Sequence, residues 1–180
     1  MKFLEYDALE QVNAALADTE HHAGRLFFKV EAYSCKSTSV DKKLLKELHS
    51  RTSHDSTYPT QPDSRNSNKG NVSTKLFSYL LGTLNASYAD YSFDTVDPAQ
   101  FKQISPTKAL VMIELFLGEL HGGQVWESID TVCDTLQCQL YLFQPPQQFA
   151  PDNDSLDQLF LFFYNPTLKR IVFAAARIVR

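Results

Sequence analysis

The sequence predicts an α+β fold: a single domain over residues 1–180, in which a mainly antiparallel β-sheet is packed with helices and interrupted by a mobile linker. Three observations carry this expectation. A chain of 180 residues with 43% hydrophobic and 12% aromatic side chains can fill one core, which excludes a disordered tail, a collagenous rod and a disulfide-stapled miniprotein. Apolar residues recur with a period of two in some stretches and at helical spacing in others. One long polar stretch, residues 50–74, interrupts both patterns.

Taken in order, Asp7 followed by Glu10 reads as a helix cap with an acidic third position, and Leu9, Val12 and Leu16 fall on one side; a short amphipathic helix runs to Leu16. In Leu26 to Tyr33 the residues Leu26, Phe28, Val30 and Ala32 alternate with mixed positions, which predicts the first strand. Val40, Leu44, Leu45 and Leu48 recur at helical spacing and predict a second short helix. Between Ser50 and Thr74 only Tyr58 and Val72 offer much to a core, too little to offset the entropy of ordering the segment. It is read as a linker inside one domain, because the strand before it would otherwise have no partner.

Order resumes at Leu76, where Phe77, Leu80, Leu81, Leu84 and Tyr88 make a broad helical stripe. Ser105 before Pro106 starts a further helix, with Leu110, Ile113, Leu117 and Leu120 facing the core and Gly122-Gly123 as the stop. Trp126, Ile129 and Cys133 suggest another. Gln139 to Phe143 (ended by Pro145-Pro146), Leu159 to Tyr164 and Lys169 to Val179 are strands by their aromatic and β-branched content. The turn Asn165-Pro166-Thr167 makes the last two an antiparallel hairpin.

Composition also limits function. The net charge of −4 does not suit a protein whose whole surface follows a phosphate backbone. Its distribution is uneven: Ala109 to Leu168 holds no lysine or arginine and carries −8, leaving +4 on the remainder. Basic residues gather from Lys36 to Arg51 and from Lys169 to Arg180, and form a positive face if the fold joins those segments; ordinary solvated charge is the alternative. Three cysteines make no extracellular disulfide framework and suggest a reducing compartment. The acidic N-terminal residues do not read as a secretory signal, and no apolar window approaches a bilayer span.

A catalytic constellation is not visible. His21 and His22 fall in a polar loop, His49 and His54 flank the linker, and His121 precedes two glycines, none beside a nucleophile motif. Cys133 and Cys138 stand without a second pair or a nearby histidine, so they read as core filler rather than a zinc site, and no metal or cofactor is expected. The six glycines include no phosphate-cradling or dinucleotide fingerprint. Asp90 and Asp94 bracket Tyr91-Ser92-Phe93, where capping or ion pairing outweighs paired-carboxylate chemistry.

Three stretches carry a family likeness. Val30-Glu31-Ala32-Tyr33-Ser34-Cys35-Lys36 with Asp41-Lys42-Lys43-Leu44, then Tyr79 to Asp94, then Phe162 to Phe173 resemble in order and spacing the three boxes of the Maf repressor family, the eukaryotic negative regulators of RNA polymerase III. These are distinct from the leucine-zipper Maf factors. Val125 to Asp130 and Cys138 to Tyr141 resemble the family's intervening segment. The family's usual Pro-Asp-Tyr-Asp-Phe stands here as Ala89-Asp90-Tyr91-Ser92-Phe93, which removes a carboxylate at Ser92. Members commonly continue into an acidic tail, whereas this sequence stops at Arg180.

The resemblance implies a non-enzymatic repressor that binds RNA polymerase III around its clamp and blocks engagement with the Brf-containing initiation factor. It further implies shuttling between nucleus and cytoplasm under nutrient-responsive kinases and a phosphatase. On this reading Lys36, Asp41, Lys42, Lys43, Asp90, Asp94, Lys169 and Arg170 are the partner-binding candidates, and Ser64, Ser67 and Ser73 the phosphorylation candidates. No direct sequence-specific DNA binding is expected, since the −8 block opposes it. The alternative is a small-ligand sensor on an antiparallel sheet, which rests on fold analogy and requires a deep apolar cavity.

Overall fold

The longest apolar runs of the chain pair with one another at the centre of a sheet. In the computed structural model, which describes residues 1–17, 19–36, 46, 72–91, 93, 95–145 and 155–180, the strands are β1 (Lys2–Leu4), β2 (Glu20–His21), β3 (Gly24–Ser34), β4 (Phe101–Ile104), β5 (Gln139–Phe143), β6 (Ser155–Asn165) and β7 (Arg170–Val179). The helices are α1 (Asp7–Leu16), α2 (Thr74–Ser87), α3 (Pro106–Leu117) and α4 (Glu119–Cys133). The strand order is β1-β3-β7-β6-β5-β4, with β2 added to β3. Every pairing is antiparallel. β6 and β7 form the expected hairpin, and β3 pairs with β7 from Arg25↔Val179 to Ser34↔Arg170. The strand before the polar stretch thus finds its partner at the other end of the chain.

Both faces of the sheet are covered, which is why its central strands read as nearly continuous apolar runs rather than as alternation. On one face Leu26, Val30 and Ala32 of β3, Leu159, Leu161 and Phe163 of β6 and Val172, Ala174 and Ile178 of β7 meet α1, α3 and α4 through Leu9, Val12, Leu16, Ile113, Val125 and Ile129. On the other, Phe160, Phe162, Ile171, Phe173, Tyr141, Phe143 and Phe101 meet α2 through Leu76, Phe77, Leu80, Leu81 and Leu84. This second core is largely aromatic: Phe162 and Phe173 lie 4.6 Å apart between ring centroids, and Phe101 stacks on Phe143 at 4.8 Å. Offset and edge-on pairs of this kind add to the area they bury.

The helix ends follow local chemistry. Ser73 accepts from the Leu76 N–H at 3.3 Å and Ser105 from the Lys108 N–H at 3.2 Å, each cap worth about 1 kcal/mol. The polar stretch therefore ends before Thr74: Val72 already packs on the second core. At the first helix, Tyr6 occupies the cap position without a side-chain bond, and Asp7 is the first helical residue. Asp7 and Glu10 act instead as first-turn acids against the helix dipole.

Two expectations around the later helices need correction. Gly122-Gly123 does not stop a helix; Gly118, with φ at +81°, separates α3 from α4, and the glycine pair lies inside α4. Leu120 is consequently 72% exposed rather than core. Gly122 serves the helix crossing, because a Cβ there would stand 2.8 Å from the Glu114 Cα. β1, β2 and β4 were not expected. Of the helix read over Val40 to Leu48 only Lys46 is described, helical and exposed; the linker's residues 50–71 and Asp94 lie outside the described residues.

Candidate partner-binding surface

The β6–β7 turn is built by one buried side chain. Asn165 accepts from the Leu168 N–H at 2.9 Å while its amide donates to the Cys133 carbonyl at 2.8 Å, so the turn is tied both to itself and to the end of α4. Lys169 takes a left-handed conformation, φ +51°, to start β7. Its carbonyl accepts from the Cys35 N–H at 2.8 Å. Lys36 and Lys169, distant in sequence, are thereby neighbours on one sheet end, and both are exposed. The exposed Lys2 is at the same end of the sheet, in the cross-strand row of Ser34 and Arg170.

The polar stretch is anchored at this same end. Tyr79 lies 6.1 Å from Tyr164, one residue before the turn, and Ser87 reaches Lys29 midway along β3. α2 therefore runs away from the turn, and Ser73, six residues before Tyr79 and roughly 9 Å back along the helix axis, stands towards the turn end.

Arg170 faces the other way. Its guanidinium donates to the Val132 carbonyl in the last turn of α4 and sits 4.8 Å from the centre of the Tyr6 ring. A cation at a helix C-terminus meets the negative end of the dipole, and the ring adds a cation–π contact. It is a half-buried structural tie rather than an open charge. Asp90 is exposed in the turn after α2, towards the end where Lys29 lies rather than at the Lys36–Lys169 end. Asp41, Lys42, Lys43, Asp94, Ser64 and Ser67 lie outside the described residues. Ser73 is described, as the cap of α2.

A second basic group, not anticipated from the sequence, occupies the far part of β3 and β7. Arg25 and Arg177 lie over the Phe27 ring at 5.2 and 5.6 Å, and Phe27 is 42% exposed. The Lys29 ammonium stands 3.7 Å from the centre of the Tyr88 ring, donates to the Ser87 carbonyl at 2.7 Å and approaches the Glu31 carboxylate at 3.7 Å. Burial holds the Lys29 pKa below the ordinary lysine value against the pull of Glu31. Glu31 also accepts from the Tyr33 and Ser87 hydroxyls, and burial, aided by the Glu31 charge, pushes the Tyr33 phenol well above the usual tyrosine range. The available signal was the odd-numbered register Arg25, Phe27, Lys29, Glu31, which puts these residues on one face. Arg177 is brought to it by the β3–β7 pairing. The described basic residues therefore fall into two groups, Lys36 with Lys169 at one end of the sheet and Arg25, Lys29 and Arg177 on the far part of β3 and β7.

The remaining polar features are modest. Among the described residues no group of three or more His, Cys, Asp or Glu side chains could hold a metal ion, and no helix is long and apolar enough to cross a membrane. His21 and His22 meet with tilted rings at the β2–β3 turn, 4.0 Å between centroids. A void among Phe28, Ile113, Leu117, Leu159 and Leu161 holds about 10 Å³, at most the space of one water. That void is too small for a sensor's ligand; wider, open clefts lie between α1 and α4, beside Val12, Gln124 and Ser128, and between the β2–β3 turn and α3, beside His22, Met112 and Phe116.

The arrangement matches known proteins closely. The family model of the Maf1 regulator matches residues 26–175. A repressor of RNA polymerase III transcription from Schizosaccharomyces pombe is 31% identical over 96% of this chain and 81% of its own length. One from Saccharomyces cerevisiae is 30% identical over 75% of this chain but only 34% of its own length. Two crystal structures of citrus MAF1 superpose with TM-scores of 0.73 and 0.74 at 24% and 25% identity, each over 96% of this chain and 98% of theirs.

Proposed function

This chain belongs to the Maf1 regulator family, and on that premise we propose that it represses RNA polymerase III transcription by binding the polymerase around its clamp and obstructing the Brf-containing initiation factor. The chemistry required is occlusion, which needs a complementary surface rather than a reacting group, and the protein is read as a non-enzyme. The observation that carries the reading is the Cys35–Lys169 backbone bond, which brings the exposed Lys36 and Lys169 together at one end of the sheet. Exposed like charges so gathered speed association with an acidic partner surface and orient it. Lys42 and Lys43 follow Lys36 in sequence and extend this set. Asp90, on a different part of the surface, would make a separate contact.

Reversing Lys36 and Lys169 to Glu together is expected to weaken inhibition of promoter-dependent transcription by purified polymerase about tenfold or more at low salt. The melting temperature should move by no more than about 2 °C, because exposed charges contribute little to stability. Undiminished inhibition by this variant would remove the sheet end from the interface.

Regulation is placed in the polar stretch, with nutrient-responsive kinases and a phosphatase acting on Ser64, Ser67 and Ser73, and with shuttling between nucleus and cytoplasm following from that control. A phosphate adds about −1.5 to −2 charges at neutral pH, which would oppose attraction between Lys36 and Lys169 and an acidic partner surface. Ser73 is a special case, since a phosphate there would sit at the N-terminus of α2, where an anion is favoured. Phosphorylated protein should inhibit less than unmodified protein, and a chain with residues 50–71 replaced by a Gly-Ser spacer and with Ser73→Asn, which can still cap α2, should inhibit fully and ignore the kinase. Equal inhibition by all three would refute the switch.

A further inference from the structure

Two thiols at the end of α4 meet in a way that neither core packing nor the lysine surface uses. Cys133 is the last residue of α4; Asp134 then reverses the chain with φ at +50°, and a single 3₁₀ turn, Thr135–Gln137, delivers Cys138 to the start of β5. The two sulfur atoms lie 3.4 Å apart. The approach is set by backbone: Asp130 accepts from the Thr135 N–H at 2.9 Å and from its hydroxyl, fixing the turn. The Cys138 thiol donates to the Cys133 carbonyl at 3.2 Å, and the Cys133 thiol to the Phe163 carbonyl at 3.4 Å. Cys133 is fully buried and Cys138 half-buried.

We infer that Cys133 and Cys138 are a reversible dithiol–disulfide pair, a modification site for two-electron oxidants of the peroxide class. A disulfide needs the sulfurs at about 2.05 Å, which leaves a gap of somewhat over 1 Å to close. One thiol takes an oxygen from hydrogen peroxide, becoming a sulfenic acid and releasing one water. The second sulfur then attacks it, forming the S–S bond and releasing the sulfenic oxygen as a second water. Two electrons leave the thiols and reduce one peroxide to two waters. The Cys138 hydrogen bond, assisted by the Arg170 charge, holds the Cys133 thiol below the ordinary cysteine pKa against its burial, which raises the fraction of the reactive thiolate. Cys133 also receives the Asn165 amide on its carbonyl. Oxidation at this point therefore acts on the support of the β6–β7 turn, while the inference itself does not depend on the polymerase reading.

Hydrogen peroxide applied to the whole reduced protein should remove two of its three thiols, leave Cys35 unmodified, and be reversed by dithiothreitol. No lysine or arginine lies between Ala109 and Leu168, so trypsin keeps both cysteines on one peptide, which should lose about 2 Da by forming an internal disulfide. A second cleavage after Leu136 should leave the two halves joined. With Cys138→Ser, dimedone should trap a sulfenic acid on Cys133 that the native protein does not accumulate. Disulfides that join separate molecules, or conversion of either cysteine to sulfinic acid without the link, would overturn the pair.

Discussion

A chain that begins at Val72 is expected not to fold by itself. Residues 1–36 supply β3, which hydrogen-bonds along the whole of β7 from Val179 to Arg170, and their removal bares that edge as a template for aggregation. They also supply Leu9, Val12, Leu16, Leu26 and Val30 to the first core. At about 1.5–3 kcal/mol for each buried side chain, the loss is on the order of 10 kcal/mol, comparable to the entire stability of a typical domain. Residues 1–49 and 72–180 produced together as two chains should copurify and melt cooperatively, whereas 72–180 alone should be insoluble or lack a thermal transition. A soluble monomer of 72–180 melting within a few degrees of the intact protein would show that β3 is an accessory strand.

This dependence was legible before any coordinates, because Leu26 to Ala32 alternates cleanly and a lone strand cannot persist. The hairpin after it was equally plain, since Asn165-Pro166-Thr167 separates two strongly apolar runs. Short or mixed segments were not. Phe101-Lys102-Gln103-Ile104 buries Phe101 fully and only half-covers Ile104, too faint a pattern to announce β4, and Lys2–Leu4 becomes a strand only because β3 offers it a pairing edge. The break between α3 and α4 was misplaced for a specific reason: Leu120 continues the helical spacing of Ile113 and Leu117 past Gly118. Two glycines in a row look like a stop, yet Gly122 is retained inside a helix because the Glu114 backbone occupies the space where its Cβ would stand.

The candidate surface was legible to a similar degree. Runs of lysine announce an exposed basic element, and Lys36 and Lys169 do lie together on the sheet end. Which cation in a run turns inward depends on acceptors elsewhere in the chain, here the Val132 carbonyl thirty-eight residues away. Arg25, Lys29 and Arg177 were passed over for the converse reason: as single charges in apolar strands they form no run, and only the β3–β7 register assembles them. Cys133 and Cys138 look like filler in the sequence because spacing does not reveal the left-handed Asp134 between them.

Arg170→Glu is expected to be severely destabilising although its neighbour Lys169→Glu is not. Sequence treats them as one basic dipeptide; the structure sends one outwards and the other under the sheet end. Replacing Arg170 removes the donor to Val132 and the cation over Tyr6, and the new carboxylate would face carbonyl oxygen at the negative end of α4 in a half-desolvated site. Losing one partner of a buried charge interaction costs about 3–5 kcal/mol, and the added repulsion from the helix terminus has the same sign. In a chain of this size each kcal/mol moves the midpoint by about 2–4 °C, so a fall of roughly 6–20 °C should be seen by differential scanning fluorimetry. Lys169→Glu should shift the midpoint by no more than about 2 °C while still weakening polymerase inhibition. Arg170→Lys should fall between them, because an ammonium keeps the charge but not the planar contact with Tyr6. Equal midpoints for Arg170→Glu and the native protein would mean that the guanidinium is not a structural tie, and would return Arg170 to the exposed basic surface beside Lys169.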